Sequence, residues 1–206
     1  MNYNILAQLI SSDYKRLCQT SSLLQNKLFR SIGIIFLLFS NDSFIITFWY
    51  RIGYFLFKKR NPFAKLLLII VKTIHRINQH ITGIQLPLNT HVGKGLRFFH
   101  GTSIIINGNA QIGSSCSIYQ GVTIGRVFGG KNEGVPTIGN NVIIFAGAKI
   151  LGNIKIGDNV VIGANTVVTK NIPNNSVVAG IPGKIISTDS SNSINDIWLN
   201  RFYLQE

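Results

Sequence analysis

The 206-residue chain is poor in cysteine, and it has no hydrophobic run long enough to span a bilayer. Its two cysteines, Cys18 and Cys116, lie far apart and outside any CxxC or His/Cys cluster, which argues against disulfides and a zinc site, so no metal is expected. The first twenty residues contain Asp13, Lys15 and Arg16 and lack a continuous apolar segment. We therefore predict no cleavable signal and expect a reducing, cytoplasmic location.

Acidic residues are also scarce, with seven Asp and Glu against twenty Lys and Arg. The excess is N-terminal, because residues 1–83 contain eleven Lys and Arg but only Asp13 and Asp42 as acids. No zinc finger, helix-turn-helix or RNA-binding aromatic pair accompanies these charges, so nucleic acid is not an expected partner. Two interpretations stay open: a peripheral contact with anionic lipid at the inner face of the cell membrane, or a solvated basic helical face without a ligand.

Apolar runs at 32–39, 44–57 and 67–72 predict helices in the N-terminal third. Asn61 and Pro62 predict a helix boundary between the second and third runs. Aromatic residues in the middle run, followed by basic residues, are typical of helices at a membrane interface and also of helices packed on a second domain. We place the end of this helical segment at Gly83, so that it covers residues 1–83.

From residue 84 onward, an apolar residue recurs every six positions. The series is Leu86, Val92, Phe98, Ile106, Ile112, Ile118, Ile124, Ile138, Ile144, Ile150, Ile156, Ile162 and Val168. A two-residue slip follows Phe98, and a longer excursion follows Ile124. Helices and alternating strands have periods of 3.6 and 2, whereas a triangular coil of three short strands has a period of six. Glycine and asparagine are expected at corners that need a positive φ.

The predicted fold class is therefore mainly β, with an N-terminal α-helical segment. The β-helix domain covers residues 84–186 and carries a protruding loop at 126–137. Residues 187–206 are expected to form a C-terminal tail.

Four segments, which together extend over roughly residues 45–186, carry a family resemblance: YRIGYFL at 50–56, FHGTSIIING at 99–108, AGAKILGN at 146–153 and AGIPGKI at 179–185. The sequence resembles the hexapeptide-repeat acyltransferases and, among them, the serine O-acetyltransferase branch. This resemblance implies a left-handed parallel β-helix, a homotrimer and acetyl-CoA as the co-substrate.

The repeat predicts a column of residues along one corner of the coil. His100, Gln120, Ala146 and Ala164 each lie two residues after an inward-facing position, so they are expected to stack. The resemblance implies that His100 is the general base, and imidazole titrates near neutrality as such a base must. The alternative is a structural histidine beside two phenylalanines. The other three histidines, His75, His80 and His91, are interpreted as structural or surface residues.

Small residues on this column are expected to leave backbone amides exposed to a pantetheine arm. They are Ala146, Gly147, Gly163 and Ala164. The resemblance places coenzyme A along them, with Gly180 and Lys184 of the closing segment near its phosphates. The alternative explanation for the small residues is corner geometry alone.

Two departures from the family pattern concern the acceptor. The family carries an aspartate before this histidine and a second histidine in the loop, whereas here the residues are Phe99 and Val135. The ammonium of serine would then need another carboxylate as its partner. Glu133 is the only acidic residue that the loop offers. A sugar offers an apolar ring face instead. The candidate acceptor-binding residues are Phe99, Tyr119, Gln120 and Glu133.

The main functional hypothesis is an acetyl-CoA-dependent O-acetyltransferase that modifies a sugar hydroxyl of a capsular or extracellular polysaccharide or its precursor. The pattern resembles the serine acetyltransferase-like enzymes of capsular and exopolysaccharide loci. One alternative is a serine O-acetyltransferase of cysteine biosynthesis. A second alternative is an inactive repeat-protein scaffold at the membrane.

Overall fold

The computed structural model describes residues 3–18 and 30–191. The described helices are α1 (Tyr3–Leu17), α2 (Arg30–Ser40), α3 (Asp42–Phe57) and α4 (Pro62–Thr82). Parts of the predicted helical segment (19–29) and of the predicted tail (192–206) lie outside the described residues. Helix α4 starts as predicted, because Asn61 caps it by accepting a hydrogen bond from Ala64 N, and Pro62 follows.

Fifteen short strands follow the helices. They are β1 (Ile84–Gln85), β2 (His91–Val92), β3 (Arg97–Phe99), β4 (Ile104–Ile106), β5 (Gln111–Ile112), β6 (Ser117–Tyr119), β7 (Thr123–Gly125), β8 (Thr137–Ile138), β9 (Ile143–Ile144), β10 (Lys149–Leu151), β11 (Lys155–Ile156), β12 (Val161–Ile162), β13 (Val167–Val168), β14 (Val177–Ala179) and β15 (Lys184–Ser187). Up to β13, every third strand joins the same sheet, and β14 and β15 both join the third sheet. The first sheet has the order β1-β4-β7-β10-β13, the second β11-β8-β5-β2 and the third β15-β14-β12-β9-β6-β3.

The inward-facing positions of these coils form the core. All thirteen members of the six-residue series are buried, and the most exposed, Val92, shows 7% of its surface. Successive coils pair in parallel, with Phe98 opposite Ile118 and Ile118 opposite Ile144. The predicted β-helix of hexapeptide repeats is confirmed.

Asparagine and glycine fill the corner between the second and third sheets for different reasons. Asn141, Asn159 and Asn175 adopt positive φ, as predicted, and their side chains form a ladder of 2.9 Å hydrogen bonds. Gly139 has no positive φ. A Cβ built on it would lie 2.7 Å from the carbonyl carbon of Gly157, so glycine is required there because the coils stack closely.

Helix α3 covers the open end of the first coil. Ile46 and Tyr50 belong to the same buried cluster as the inward residues of the repeat, and Tyr50 Oη donates to Thr90 O at 2.6 Å. Gly53 allows close approach, since a Cβ there would lie 2.6 Å from Leu88 Cδ2. The helix thus acts as the cap that a stacked repeat needs at its end.

A buried ion pair ties α1 to α3 and to the first coil. Arg51 Nε lies 2.8 Å from Asp13 Oδ2, and each side chain is 1% exposed. Arg51 also donates to Val92 O and Gly93 O, at 2.8 and 2.6 Å. Asp13 Oδ1 accepts from Gly95 N at 2.8 Å. Both charges are therefore matched by hydrogen bonds, which a buried pair requires.

In the described ranges, no single helix has the length and apolar composition to cross a membrane. The segments Ile32–Ser40 and Asp42–Phe57 meet these criteria only as a pair, and they meet at a bend of 111°.

Candidate active site

The corner between the third and first sheets collects one residue from each coil. Because Phe98, Ile118, Ile144, Ile162 and Val178 are paired in register, the residues two positions further along lie above one another. These corner residues are His100, Gln120, Ala146, Ala164 and Gly180. The structure therefore brings together the four that the repeat predicted, and Gly180 extends the column.

His100 lies in an insertion at the head of this corner column. The first coil uses eight residues from Phe98 to Ile106, where the next coil uses six from Ile118 to Ile124. His100 adopts a φ of 50°, and its carbonyl accepts a hydrogen bond from Thr102 N at 2.6 Å. Left-handed backbone is uncommon outside glycine and is enriched at functional sites. The side chain is exposed rather than packed in the core.

Sequence reasoning missed Asp42, which lies beside this insertion. The side chain of neighbouring Ser43 anchors the start of α3 to β3, because Ser43 Oγ accepts from Phe98 N at 2.8 Å. A Cβ built on Gly101 would lie 3.5 Å from Asp42 Cβ. Asp42, an exposed acid at the start of α3, thus lies next to Gly101, the residue that follows His100. Nothing in the local sequence links position 42 to position 100, so only the packing of α3 reveals this neighbour.

The aromatic rings beside the column contact one another. The Phe99 and Tyr119 rings stack at 4.4 Å with an interplanar angle of 6°, and Phe145 lies 5.0 Å from Tyr119. The Arg97 guanidinium lies 4.2 Å from the Phe99 ring centroid. Phe99 is therefore engaged within its own chain, which weakens its predicted role as a platform for a sugar ring.

Two buried polar atoms near the column have no hydrogen-bond partner within the described part of the chain: Tyr119 Oη and Gln120 Oε1. Burial raises the pKa of the Tyr119 phenol, an effect that the Arg97 guanidinium partly offsets. Unpaired buried polar atoms are rare in native proteins and often mark a place that a ligand fills.

The four small residues predicted to contact coenzyme A differ in whether their backbone N–H groups have a hydrogen-bond partner. Gly147 N donates to Gln120 O at 2.9 Å and Gly163 N to Val178 O at 2.8 Å, so both amides are used between coils. By contrast, Ala146 N and Ala164 N donate to no described group. Strand pairing therefore uses the two glycine donors, whereas the two alanine amides have no described partner.

Lys184 lies at the foot of the column. The chain turns after Gly180, whose φ is 97°, and returns as β15, where Lys184 pairs with Ala179 in antiparallel register. Lys184 is exposed, so its ammonium is available to an anion at this end of the corner.

Glu133 lies on a different corner, between the first and second sheets. The loop from 126 to 136 is closed by a bridge between Val127 and Gly134, and it packs on its own coil where Asn153 N donates to Asn132 O at 3.0 Å. Glu133 forms an exposed ion pair with Arg126 at 3.5 Å. Within one chain, the structure does not bring Glu133 to His100.

The other histidines lie outside the column. His75 is 1% exposed and its Nε2 lies 2.7 Å from Leu86 O, while His80 and His91 are exposed. Across residues 3–18 and 30–191, no cluster of His, Cys, Asp and Glu suits a metal ion.

Comparisons with known proteins agree with this geometry. Residues 136–170 match the model for the bacterial transferase hexapeptide (six repeats). A serine acetyltransferase of Synechococcus elongatus is 39% identical over 139 residues, which are 66% of this chain but 54% of that protein. The chain thus spans about half of that relative's length.

Solved structures extend the likeness into the helical segment. The Brucella abortus serine acetyltransferase in complex with coenzyme A is 25% identical, with a TM-score of 0.72 over 91% of this chain and 70% of its own. The Neisseria gonorrhoeae serine acetyltransferase in complex with serine is 25% identical, with a TM-score of 0.70 over 90% and 70%.

These relatives contradict the polysaccharide acceptor predicted from Phe99 and Val135, since they are named for serine. The prediction was wrong because it considered only Phe99 and the loop residues Val135 and Glu133, and because it treated Phe99 as an open surface. The repeat, the corner column and the comparisons together show that the chain is similar to the bacterial hexapeptide-repeat transferases.

Proposed function

We propose that this chain is an acetyl-CoA-dependent serine O-acetyltransferase. One observation carries the proposal: the exposed imidazole of His100 heads the corner column, and the side chain of Asp42 starts next to the following residue, Gly101. The relatives named serine acetyltransferase support the same acceptor.

In the proposed reaction, His100 acts as the general base. It takes the proton of the serine hydroxyl while that oxygen attacks the thioester carbonyl, and it then gives the proton to the departing coenzyme A thiolate. The acetyl group thus moves from sulfur to oxygen, and His100 ends in its starting form. The left-handed backbone at position 100 holds the ring at the corner, where both substrates can reach it.

The column fits the co-substrate. Ala146 N and Ala164 N are donors without a described partner, and they lie one coil apart, about 4.8 Å, along the corner. Such amides suit the carbonyl groups of a pantetheine arm, and exposed Lys184 at the foot of the column suits a phosphate. When bound, acetyl-CoA supplies the activated acetyl group.

In this proposal, Asp42 supplies the carboxylate that pairs with the ammonium of serine, which Phe99 cannot do. A zwitterion in a partly dry site needs a carboxylate for its ammonium, because an unpaired buried charge is costly. Asp42 lies beside the insertion that carries His100, and the free Gln120 Oε1 follows His100 in the column. Both groups accept hydrogen bonds, so both suit the amino group of serine.

The His100→Ala variant tests the base. We expect coenzyme A binding, measured by calorimetry, to stay within about twofold of wild type, because the ring contacts the reacting atoms rather than the nucleotide. Serine-dependent thiol release should fall by about 10²-fold or more. Retention of more than about a tenth of the wild-type rate would contradict the role of His100.

The acceptor site is tested with serine and 3-hydroxypropionate, which keeps the hydroxyl and carboxylate but lacks the ammonium. We expect wild type to prefer serine, and Asp42→Asn to raise KM for serine about tenfold or more while leaving 3-hydroxypropionate unchanged. Asp189→Asn is the matched control, because Asp189 is an exposed acid that follows β15, and it should change neither. An equal loss with both acceptors would show that Asp42 acts on folding or on His100.

We further propose a homotrimer in the cytoplasm that makes a peripheral contact with the inner face of the membrane. A triangular prism has flat faces that can pair about a threefold axis. The loop carrying Glu133, which lies away from its own His100, would then be free to reach the column of a neighbouring subunit.

The membrane contact is proposed through α4. Its exposed apolar stripe consists of Phe63, Leu66, Ile70, Ile77 and Ile81. No acidic residue occurs between Asp42 and Glu133 in the sequence, so the surroundings of this stripe are basic and favour an anionic bilayer over a second copy of the same charge.

A further inference from the structure

A cleft of about 750 Å³ lies between α4 and the turn that joins β1 to β2. It is formed on the corner between the first and second sheets, so none of the column residues line it. Its volume is in the range of small-molecule sites. The proposed acetyl transfer does not use this cleft.

The cleft carries positive charge without an opposing acid. Lys72 and Arg76 are exposed and lie four residues apart, which places them on the same side of α4, and His80 continues the row. None of the residues lining the cleft is Asp or Glu. Two cations at this spacing favour an anion that can be held from two sides, and Arg suits phosphate particularly well.

Apolar side chains also line the cleft. Leu68, Leu88 and Phe57 line it, and the Phe57 side chain is 49% exposed although it is aromatic. The lining as a whole is more apolar than polar. A free inorganic anion would leave this surface in water, whereas a molecule with a hydrocarbon portion would bury it.

His75 lies at the buried side of the cleft. The imidazole is 1% exposed, and Nε2 faces Leu86 O at 2.7 Å, so Nε2 carries the proton and Nδ1 is left as an acceptor. Nδ1 is buried and has no partner in the ranges that the structure covers. The neutral imidazole therefore adds no charge to the cleft, and the positive charge there comes from Lys72 and Arg76.

We propose that this cleft binds an alkyl phosphate monoester. The phosphate lies between Lys72 and Arg76, and the alkyl chain covers Leu68 and Leu88. The shared chemistry is an anionic phosphate head with an apolar tail, whether the molecule comes from solution or from a membrane.

Calorimetry on the full-length protein tests the proposal, with dodecyl phosphate below its micelle concentration as the probe. We expect one site per chain. Inorganic phosphate has the anionic head without the alkyl tail, and dodecyl maltoside has the tail without the anion. Each should bind at least tenfold more weakly than dodecyl phosphate. Comparable affinity for dodecyl phosphate and either half would overturn the proposal.

Variants locate the site. Lys72→Gln and Arg76→Gln are surface changes and should each weaken dodecyl phosphate binding about tenfold. Lys65→Gln is the matched control, because Lys65 lies on α4 outside the cleft and should leave binding unchanged. If all three variants weaken dodecyl phosphate binding equally, the attraction is a non-specific charge effect and the proposed site is wrong.

Vesicles containing phosphatidic acid distinguish the source. If lipid heads in a bilayer reach the cleft, Arg76→Gln should reduce vesicle binding more than Lys65→Gln does. If both variants bind vesicles equally while the dodecyl phosphate result stands, the ligand comes from solution.

Discussion

At the residue scale, glycines at the corner between the second and third sheets leave no room for a side chain. Gly113 stacks directly on Gly139, and a Cβ built on it would collide with the Gly139 carbonyl group. Backbone atoms of a paired coil cannot move aside, so Gly113→Ala should cost about 3 kcal/mol of unfolding free energy. We expect Tm to fall by about 6–12 °C.

Gly129→Ala is the control for this prediction. Gly129 has a φ of 73° but no atom within 4 Å of a built Cβ, so the variant should cost only about 1 kcal/mol for its backbone conformation. If thermal unfolding shows equal losses for the two variants, close coil stacking is not what requires glycine at position 113.

His75 gives the protein a predicted pH dependence. Burial lowers the pKa of this imidazole, although the hydrogen bond to Leu86 O opposes the shift. The unfolded chain takes up a proton near pH 6.5 and the folded chain does not, so the free energy of unfolding should fall as the pH drops below 6.5. Urea unfolding at pH 7.5 and 5.5 measures this difference.

His75→Gln should reduce that difference, because the substituted chain has one proton fewer to bind on unfolding. His91→Gln, at an exposed strand position, should leave it unchanged. A pH dependence that survives in His75→Gln would assign it to other groups.

At the element scale, the Arg51–Asp13 pair holds α1, α3 and the first coil together. Replacing one partner leaves a buried charge without compensation, so Arg51→Ala should cost about 3–5 kcal/mol of unfolding free energy. Arg126→Ala breaks the exposed pair with Glu133 and should cost about 1 kcal/mol or less. Comparable losses in urea unfolding would show that α1 and α3 are held by apolar packing instead.

The elements also show what the sequence could predict. The coils were predictable because a buried apolar residue recurs every six positions from Leu86 to Val168, apart from the slip after Phe98 and the loop after Ile124. The slip after Phe98 was visible too, yet it gave no hint that His100 adopts left-handed backbone. The sequence could not predict that Asp42 lies beside this insertion, because its position depends on the tertiary contact between Ser43 and Phe98.

At the scale of the whole molecule, two proposed associations involve different surfaces. A trimer of prisms would use the β-helix faces, whereas membrane contact would use α4. We expect light scattering at micromolar concentration to give a trimer without lipid. A monomer under these conditions would contradict the assembly, and it would leave the loop carrying Glu133 without a neighbour to contact.

Membrane contact is best tested in the full-length chain. Removing residues 1–83 would also remove Ile46 and Tyr50 from the core of the first coil, so loss of binding could reflect unfolding. Full-length protein should float with vesicles rich in anionic phosphatidylglycerol and not with neutral phosphatidylcholine. Salt should weaken the binding, because the Debye length shortens from about 10 Å at 0.1 M to about 3 Å at 1 M.

The exposed stripe of α4 supplies the decisive variant. Changing Leu66, Ile70 and Ile77 together to Gln removes apolar area from a surface that does not pack on the rest of the chain, so the fold should remain. We expect this variant to keep the Tm of wild type and to lose flotation. Flotation equal to wild type would exclude α4 as the membrane contact. If wild type does not float but the variant changes the oligomeric state, the stripe is an interface between protein chains.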